Sequence, residues 1–185
     1  MQQPVATGSA QESAAPIDPR RIAVRSMQIM ADGTFEDFGE IVHPLAVNYE
    51  AEHEPPKSSS PGPDGFYASA LWLRAAFSEL DFDVHQVVVE GDLAVVHSTM
   101  SGRHTGAMVT YDQRLVEQVM PPTGRRFATK QSHWLRIQDG KVIEHWASRD
   151  DIGTAKQLGW VPPSPLFLLR SALATRRLRR LRPIA

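Results

Sequence analysis

The stretch DFDVHQVVVEGDLAVVHSTMSGRHTG, residues 81–106, carries the strongest structural signal in the chain. Apolar and polar residues alternate on both sides of Glu90-Gly91-Asp92, and a period of two residues is that of side chains along a strand. A glycine between acidic residues that separate two such runs is typical of a β-hairpin turn. These residues therefore predict two long antiparallel strands.

A second hairpin is predicted over residues 127–151, FATKQSHWLRIQDGKVIEHWASRDD, with its turn at Asp139-Gly140. Residues 105–126, TGAMVTYDQRLVEQVMPPTGRR, separate the two hairpins. They resemble an insertion that ends in a Pro-Pro-Thr-Gly turn. The chain therefore has at least four long strands in its second half.

Helical patterns precede these strands. Helices are predicted over residues 17–33, 35–44 and 63–80, where apolar residues recur at helical spacing, and a strand is predicted over residues 45–53. Helices followed by long antiparallel strands indicate an α+β fold, a curved sheet with helices on one face. Such a sheet forms a cone, and its mouth suits a small ligand.

Composition and length set the domain organisation. The chain has 185 residues, 42% of them hydrophobic and 22% charged, which is typical of one globular domain. We predict a disordered arm over residues 1–18, a folded domain over residues 19–162 and a basic helical tail over residues 163–185.

The sequence has no cysteine, which excludes disulfides and thiolate metal sites, and its opening residues do not resemble a signal peptide. A cytoplasmic location is therefore predicted.

The tail is strongly basic. Six arginines and no acidic residue follow Leu169, so residues 1–169 carry a net charge of −7, against −1 for the whole chain. Leucines recur among these arginines at helical spacing, which predicts an amphipathic helix. Such a helix suits an anionic surface, either membrane or nucleic acid. The alternative, which the charge of −7 favours, is a helix packed on the acidic body or on a second subunit.

Several segments together resemble a known family. They are residues 62–82 (GPDGFYASALWLRAAFSELDF), residues 87–106, PPTGRRF at 121–127, and the run from Leu135 through IQDGKVIEHWASRDDIGTAKQLG. In this order they are similar to the SnoaL-like polyketide cyclases, or ester cyclases, of the NTF2-like superfamily. The resemblance covers roughly residues 35–160. It implies an NTF2-like cone, with a curved, mostly antiparallel sheet and the N-terminal helices packed on its concave face.

Two neighbouring strands offer the main catalytic candidates. Alternation puts Gln131 and His133 on one strand face, where they could stabilise a carbonyl or enolate oxygen; the alternative is a polar face exposed to water. On the last strand, the resemblance favours Asp150 as the inward carboxylate that moves the proton, with Trp146 as an apolar wall beside it. The alternative for Asp150 is the N-cap of the following helix.

Weaker candidates complete the expected site. The substrate-binding candidates, which follow the first helices or lie in the helix at residues 63–80 and the first hairpin, are Asn48, Tyr49, Phe66, His97 and His104. His97 has the alternative of a core histidine, and His104 that of a strand-end loop residue. A metal site made from His133, His145 and Asp150 is conceivable as two histidines and a carboxylate, but it is not predicted, because the two histidines need not share a face.

The resemblance implies a cofactor-independent enzyme. It would close a ring of a polyketide-like or other apolar carbonyl compound by an intramolecular aldol reaction, with Asp150 moving the proton and Gln131 or His133 stabilising the enolate. Alternatives in the same cone are an epoxide hydrolase or isomerase, and a non-catalytic small-molecule binding module. A homodimer with its sheets back to back is also predicted, since the outer sheet face is expected to expose Trp134 with Ala147.

Overall fold

A computed structural model describes residues 18–181 of the chain. The arm predicted for residues 1–18 lies outside the described residues, except for Asp18, which caps the first helix through the backbone N–H of Arg20. The helices are α1 (Pro19–Asp32), α2 (Phe35–Ile41), α3 (Pro63–Ala76), α4 (Asp151–Leu158) and α5 (Pro165–Leu181). The strands are β1 (Val42–Asn48), β2 (Phe77–Glu90), β3 (Leu93–His104), β4 (Met108–Asp112), β5 (Leu115–Met120), β6 (Arg126–Gln138) and β7 (Lys141–Arg149). Two short 3₁₀ helices, Ala51–His53 and Pro56–Ser59, lie between β1 and α3.

Five strands form one curved sheet in the order β1-β7-β6-β3-β2. All neighbours are antiparallel except β1, which runs parallel to β7. Helices α1, α2 and α3 pack against the inner face of this sheet and bury Phe38, Ile29 and Leu135 almost completely. The α+β prediction is confirmed. Among residues 18–181, no helix is long and apolar enough to cross a membrane.

Three predicted elements have other bounds in the structure. The strand predicted over residues 45–53 is β1, Val42–Asn48, and residues 51–53 form a 3₁₀ helix. The helix predicted over residues 63–80 ends at Ala76, because Phe77 already pairs with His104 as the first residue of β2. The short second helix ends at Ile41, and Pro44 lies inside β1. An edge strand accommodates a proline because its outward N–H would remain unpaired, and β1 is at the edge of the sheet.

A β-bulge in β7 determines which side chains enter the cone. Ile137 pairs with Val142, but the next residue, Arg136, pairs with Glu144, so Ile143 is an extra residue on β7. A shift of one residue moves every following side chain to the other face of a sheet. Beyond the bulge, therefore, His145 faces inward, whereas in a regular strand Glu144 and Trp146 would do so.

The insertion and the tail pack against each other. Residues 108–120 form the separate hairpin of β4 and β5, which is tied to the body by a hydrogen bond from Trp72 Nε1 to the Val109 carbonyl, 2.8 Å. Helix α5 lies along the free edge of β5, where Thr175 Oγ1 accepts from Val119 N at 2.9 Å. A small cluster of Tyr111, Val116 and Val119 is buried beneath α5. The tail helix therefore packs on the rest of its own chain, as the favoured alternative predicts, and the part of the body that it covers is this hairpin.

Candidate active site

A chain of hydrogen-bonded side chains crosses the interior of the cone. We call it the polar chain; its members, in bonding order, are Gln131, His133, His145, Asn48, Ser69 and Glu54. They come from five places in the sequence: β6, β7, the end of β1, α3 and the segment between the 3₁₀ helices. Four of these side chains are buried, and Asn48 and His145 are half-buried. A continuous, largely buried polar network of this kind is the expected form of a site that handles protons.

Two histidines form the centre of the polar chain. The Nδ1 atom of His133 is 3.0 Å from Nε2 of His145, and the rings stack with 15° between their planes. His133 Nε2 is 2.9 Å from Oε1 of Gln131, whose amide nitrogen is 3.3 Å from the sulfur of Met100. The rings of Phe82 and Phe66 flank His133 and His145, respectively.

The other half of the polar chain runs from His145 to a buried carboxyl group. His145 Nδ1 is 2.9 Å from Asn48 Oδ1, which also accepts from the backbone N–H of Glu50 at 3.2 Å. Asn48 Nδ2 donates to Ser69 Oγ at 3.4 Å, and the Ser69 hydroxyl donates to Glu54. Because Asn48 Oδ1 accepts a backbone N–H, the oxygen of this amide must face His145.

Strand register explains why these residues meet. Asn48 on β1 pairs with His145 on β7, and His145 pairs with Leu135, two residues from His133 on β6. Directly paired and alternate residues share a sheet face. The inward face of β7 consequently carries His145, Ala147 and Arg149, and no carboxylate.

Burial keeps both central histidines neutral. It lowers the pKa of His133 to about 4, with a smaller contribution from the positive charge of Arg149. Burial also holds the pKa of His145 well below its ordinary value, and His133 and Arg149 lower it further. At the far end, burial raises the pKa of Glu54, and the hydrogen bond from Ser69 opposes this rise.

The proton inventory of the pair follows from its neighbours. Asn48 Oδ1 can only accept, so His145 carries its proton on Nδ1 and its Nε2 is a lone pair. In a neutral pair His133 then donates from Nδ1 to His145, and His133 Nε2 is the free lone pair beside Gln131. The approach of Gln131 Oε1 to His133 Nε2 instead requires a proton on Nε2. In the neutral pair, the Gln131 amide in its turned-over orientation puts its NH₂ group beside this lone pair as a donor.

An ion pair borders the site. Arg149 Nη2 is 3.0 Å from Glu50 Oε2, and their side chains are 32% and 18% exposed. The other oxygen of Glu50 accepts from the backbone N–H of Ala147 at 2.9 Å. Glu50 thus holds the positive charge of Arg149 beside the histidines. Within residues 18–181 no three histidine or carboxylate side chains converge in a way that could hold a metal ion.

Four of the predicted site residues come together. Gln131 and His133 are 6% exposed and belong to the polar chain, as does Asn48. Phe66, 7% exposed, lies beside His145 with ring centroids 6.1 Å apart. The strand-face prediction for β6 thus puts its two polar candidates in the core.

Three predicted residues lie elsewhere. Asp150 is exposed, and its carboxylate accepts from the Gly153 N–H at 2.7 Å as the N-cap of α4; its expected inward position is wrong. Trp146 stacks on Trp134 on the outer face, with centroids 6.3 Å apart, so it is not a wall of the cone. Tyr49 also lies outside, 58% exposed and edge-on to Trp146. Ala147, expected outside with Trp134, faces inward instead.

The two remaining histidines among the predicted site residues are also outside the polar chain. His97 lies on the outer sheet face, 3.4 Å from the Ser132 hydroxyl, because its neighbours Val96 and Ser98 take the inner face. His104 is fully buried, but it packs edge-on to Trp160 and accepts from the Thr123 N–H at 3.2 Å. Burial lowers the pKa of His104 to about 4.

Sequence reasoning missed His145, Ser69 and Glu54. The resemblance favours Asp150 as the inward residue of the last strand, and alternation then puts Trp146 on the same face and His145 on the opposite one. The bulge at Ile143 reverses this assignment, and no turn residue marks it in the sequence. One signal could have found His145: a buried His133 needs a hydrogen-bond partner, and the neighbouring strand is the place to look for a polar side chain.

Comparison with known proteins gives consistent matches. The family model described as SnoaL-like polyketide cyclase matches residues 21–158. The aklanonic acid methyl ester cyclase DnrD of Streptomyces peucetius is 35% identical over 144 residues, covering 76% of this chain and 90% of that protein. The nogalonic acid methyl ester cyclase of Streptomyces nogalater is 35% identical over 130 residues, covering 69% and 87%.

Solved structures agree with these sequence matches. TsrD from Streptomyces laurentii superimposes with a TM-score of 0.61 at 25% identity, covering 75% of this chain and 92% of that one. A SnoaL-like polyketide cyclase from Agrobacterium tumefaciens superimposes with a TM-score of 0.57 at 15% identity, covering 76% and 98%. The second likeness concerns the fold alone.

Proposed function

Because this chain belongs to the SnoaL-like polyketide cyclase family, we propose that it closes a ring of a polyketide-type methyl ester by an intramolecular aldol reaction, with His133 as the base. The carrying observation is the hydrogen-bonded order Asn48–His145–His133–Gln131. It gives His133 a lone pair of defined direction beside an amide that can stabilise an oxyanion. The family relatives named as methyl ester cyclases support the substrate class.

The first step is removal of an activated proton. His133 Nε2 takes the proton from a carbon next to a carbonyl group, and the electron pair of the C–H bond moves into the enolate. The neutral pair takes up this proton on His133 Nε2. Asn48 holds His145 in the orientation in which His145 Nε2 accepts the hydrogen bond from His133 Nδ1. His145 and Asn48 are thus positioning residues.

Gln131 serves both charges that this step creates. When His133 Nε2 carries a proton, the Gln131 carbonyl accepts it, as in the 2.9 Å contact of the structure. With its carbonyl oxygen toward His133, the Gln131 amide directs its NH₂ group away from His133. In that position the NH₂ group can donate to the enolate oxygen, and a donor aimed at developing charge stabilises the transition state.

Ring closure returns the proton. The enolate carbon attacks a ketone or aldehyde carbon of the same molecule, a C–C bond forms, and the resulting alkoxide takes the proton back from His133. Product and substrate are isomers, so the balance of the reaction requires neither an oxidant nor a reductant. The side chains of Phe66, Phe82 and Met100 form the apolar surroundings of the histidine pair.

Turnover of aklanonic acid methyl ester tests the proposal. The purified protein is incubated with this compound, and an isomer of equal mass and different retention is sought by chromatography with mass detection. We expect His133→Asn to lower kcat by about 100-fold or more, whereas the control His97→Asn, an outer-face histidine, keeps wild-type turnover. Binding of the compound without any isomer, in wild type, would make the chain a binding module instead.

We also propose that the chain forms a homodimer through the outer sheet face. Trp134 and Trp146 stack there, and Val88, 55% exposed, continues the same row of paired residues through Val95. Apolar and aromatic area of this kind on a sheet face is ordinarily covered by a partner. A back-to-back arrangement would leave the interior of each cone independent.

A further inference from the structure

The outer face of α5 is not explained by the proposed function. Leu166, Leu169 and Leu173 follow one another at i, i+3 and i+7 and therefore share one helix face. They are 65%, 58% and 59% exposed. Leucines at helical spacing ordinarily face a core, so their exposure on a well-formed helix requires an explanation.

The opposite face of α5 is already occupied by the protein. Ser171 Oγ donates to the Val119 carbonyl at 2.6 Å, Thr175 Oγ1 accepts from Val119 N at 2.9 Å, and Arg179 Nε donates to the Val116 carbonyl at 2.8 Å. These three residues recur every four positions, so one side of the helix covers the edge of β5. The orientation of α5 is thereby fixed, and the leucines cannot turn inward without breaking these bonds.

Cations surround the leucines. Arg170 and Arg177 lie four residues after Leu166 and Leu173, so they share the leucine face, and both are exposed. Arg180 is exposed beside them, and α5 contains no acidic residue. The face is about 25 Å long at 1.5 Å per residue, and it presents apolar and cationic groups together on a convex surface.

We infer that this face of α5 binds the surface of an anionic lipid membrane. Leucine side chains reach the boundary of the acyl chains, while arginine side chains extend along them and bind lipid phosphates. A nucleic acid would supply phosphates but no apolar layer for the leucines. The helix lies on the membrane rather than across it, in keeping with the absence of a spanning helix among residues 18–181.

Vesicle co-sedimentation tests this inference with the full-length protein. Vesicles contain phosphatidylcholine alone, or phosphatidylcholine with one-third phosphatidylglycerol. We expect binding to the anionic vesicles to be at least about tenfold stronger. The triple variant Leu166→Asn, Leu169→Asn, Leu173→Asn should lose about tenfold or more, and Arg170→Gln with Arg177→Gln should lose about tenfold, specifically on anionic vesicles.

Leu168→Asn is the matched control, because Leu168 is 51% exposed on the same helix but points to another side; it should bind like wild type. Equal binding to both vesicle types, no binding, or an equal loss in Leu168→Asn would overturn the inference. So would a lower oligomeric state of the triple variant without vesicles, or binding to duplex DNA in place of vesicles. Turnover of soluble substrate should be unchanged in the triple variant, which separates this test from that of the proposed function.

Discussion

At the residue scale, the protonation of the histidine pair depends on Asn48. Its carbonyl oxygen accepts both the Glu50 N–H and the His145 Nδ1–H, and this acceptor decides which nitrogen of each ring keeps a lone pair. Burial without a counter-charge then keeps both rings neutral. A base of this kind is ready to accept a proton at neutral pH, although the same burial weakens it.

Replacing Asn48 by aspartate should therefore change the pH dependence of turnover. The variant keeps an acceptor at 2.9 Å from His145 and adds a negative charge, which favours the protonated pair and raises its pKa. We expect the acidic limb of the kcat profile to move to higher pH by about one unit or more. The control Asn48→Ala should lower kcat without such a movement. An unchanged profile in Asn48→Asp would contradict the role of Asn48.

Acid should destabilise the fold through its buried histidines. The pKa of His104 is lowered to about 4, against about 6.5 in an unfolded chain. Between these values the unfolded state binds more protons than the folded state. The free energy of unfolding therefore has its full value above pH 6.5 and falls as the pH drops towards 4, by about 1.4 kcal/mol per pH unit for each such group.

Urea unfolding of wild type and His104→Asn at pH 8, 7, 6 and 5 measures this slope. Wild type should lose stability steadily below pH 6.5, because His133 adds to His104. The variant should show a slope smaller by about 1.4 kcal/mol per unit between pH 6 and 5. The difference between pH 8 and 7 is the internal control and should be equal in the two proteins. Equal slopes at all pH values would show that His104 does not titrate in this window.

At the element scale, β6 could be predicted correctly and β7 could not. The alternation of Thr129, Gln131, His133 and Leu135 is uninterrupted, and these four residues are buried. On β7 the resemblance favours Asp150 inside, which by alternation puts Trp146 on the same face. The extra residue Ile143 shifts the register and turns His145 inward instead. A bulge depends on the pairing of two strands, and a single sequence does not contain that pairing. Ser69 and Glu54 were likewise unpredictable, because they join the site only through packing of α3.

The tail could be predicted as an amphipathic helix, but not its partner. The pattern does not say which face is buried, and in the structure Ser171, Thr175 and Arg179 form the contact with β5. A strand edge with unpaired backbone groups binds polar side chains better than leucines. The basic, leucine-rich face was therefore left outward.

Thr175→Val should loosen this contact. Valine has the shape of threonine but cannot accept from Val119 N, and an unpaired buried N–H costs about 1–3 kcal/mol. We expect faster amide hydrogen exchange in α5 and β5, measured by mass spectrometry, and no change in β6. The control Thr110→Val removes a hydroxyl that bonds only the exposed Glu117 side chain and should cost less than about 0.5 kcal/mol. Equal exchange in both variants would contradict the anchoring role of Thr175.

At the scale of the whole molecule, the proposed dimer and the cone interior use opposite faces of one sheet. Val88→Arg puts a charge on the outer face, so sedimentation velocity at micromolar concentration should show a monomer in place of a dimer. Leu115→Arg is the control, because Leu115 is equally exposed, 52%, but lies on β5, away from that face. A monomeric wild type would remove the proposed interface.

The separation of the two faces also means that chemistry can be tested apart from assembly. Every residue of the polar chain comes from the same protein chain, so the proposed base needs no contribution from a partner. Proton removal should therefore occur in the Val88→Arg monomer as well.

The most direct test is exchange of the substrate proton in deuterium oxide. A substrate analogue in which the accepting ketone is reduced to an alcohol can lose its activated proton but cannot close the ring. Mass spectrometry should show deuterium entering that carbon with wild type and His97→Asn, and at least about 100-fold more slowly with His133→Asn. Exchange at the wild-type rate in His133→Asn would contradict the assignment of His133 as the base.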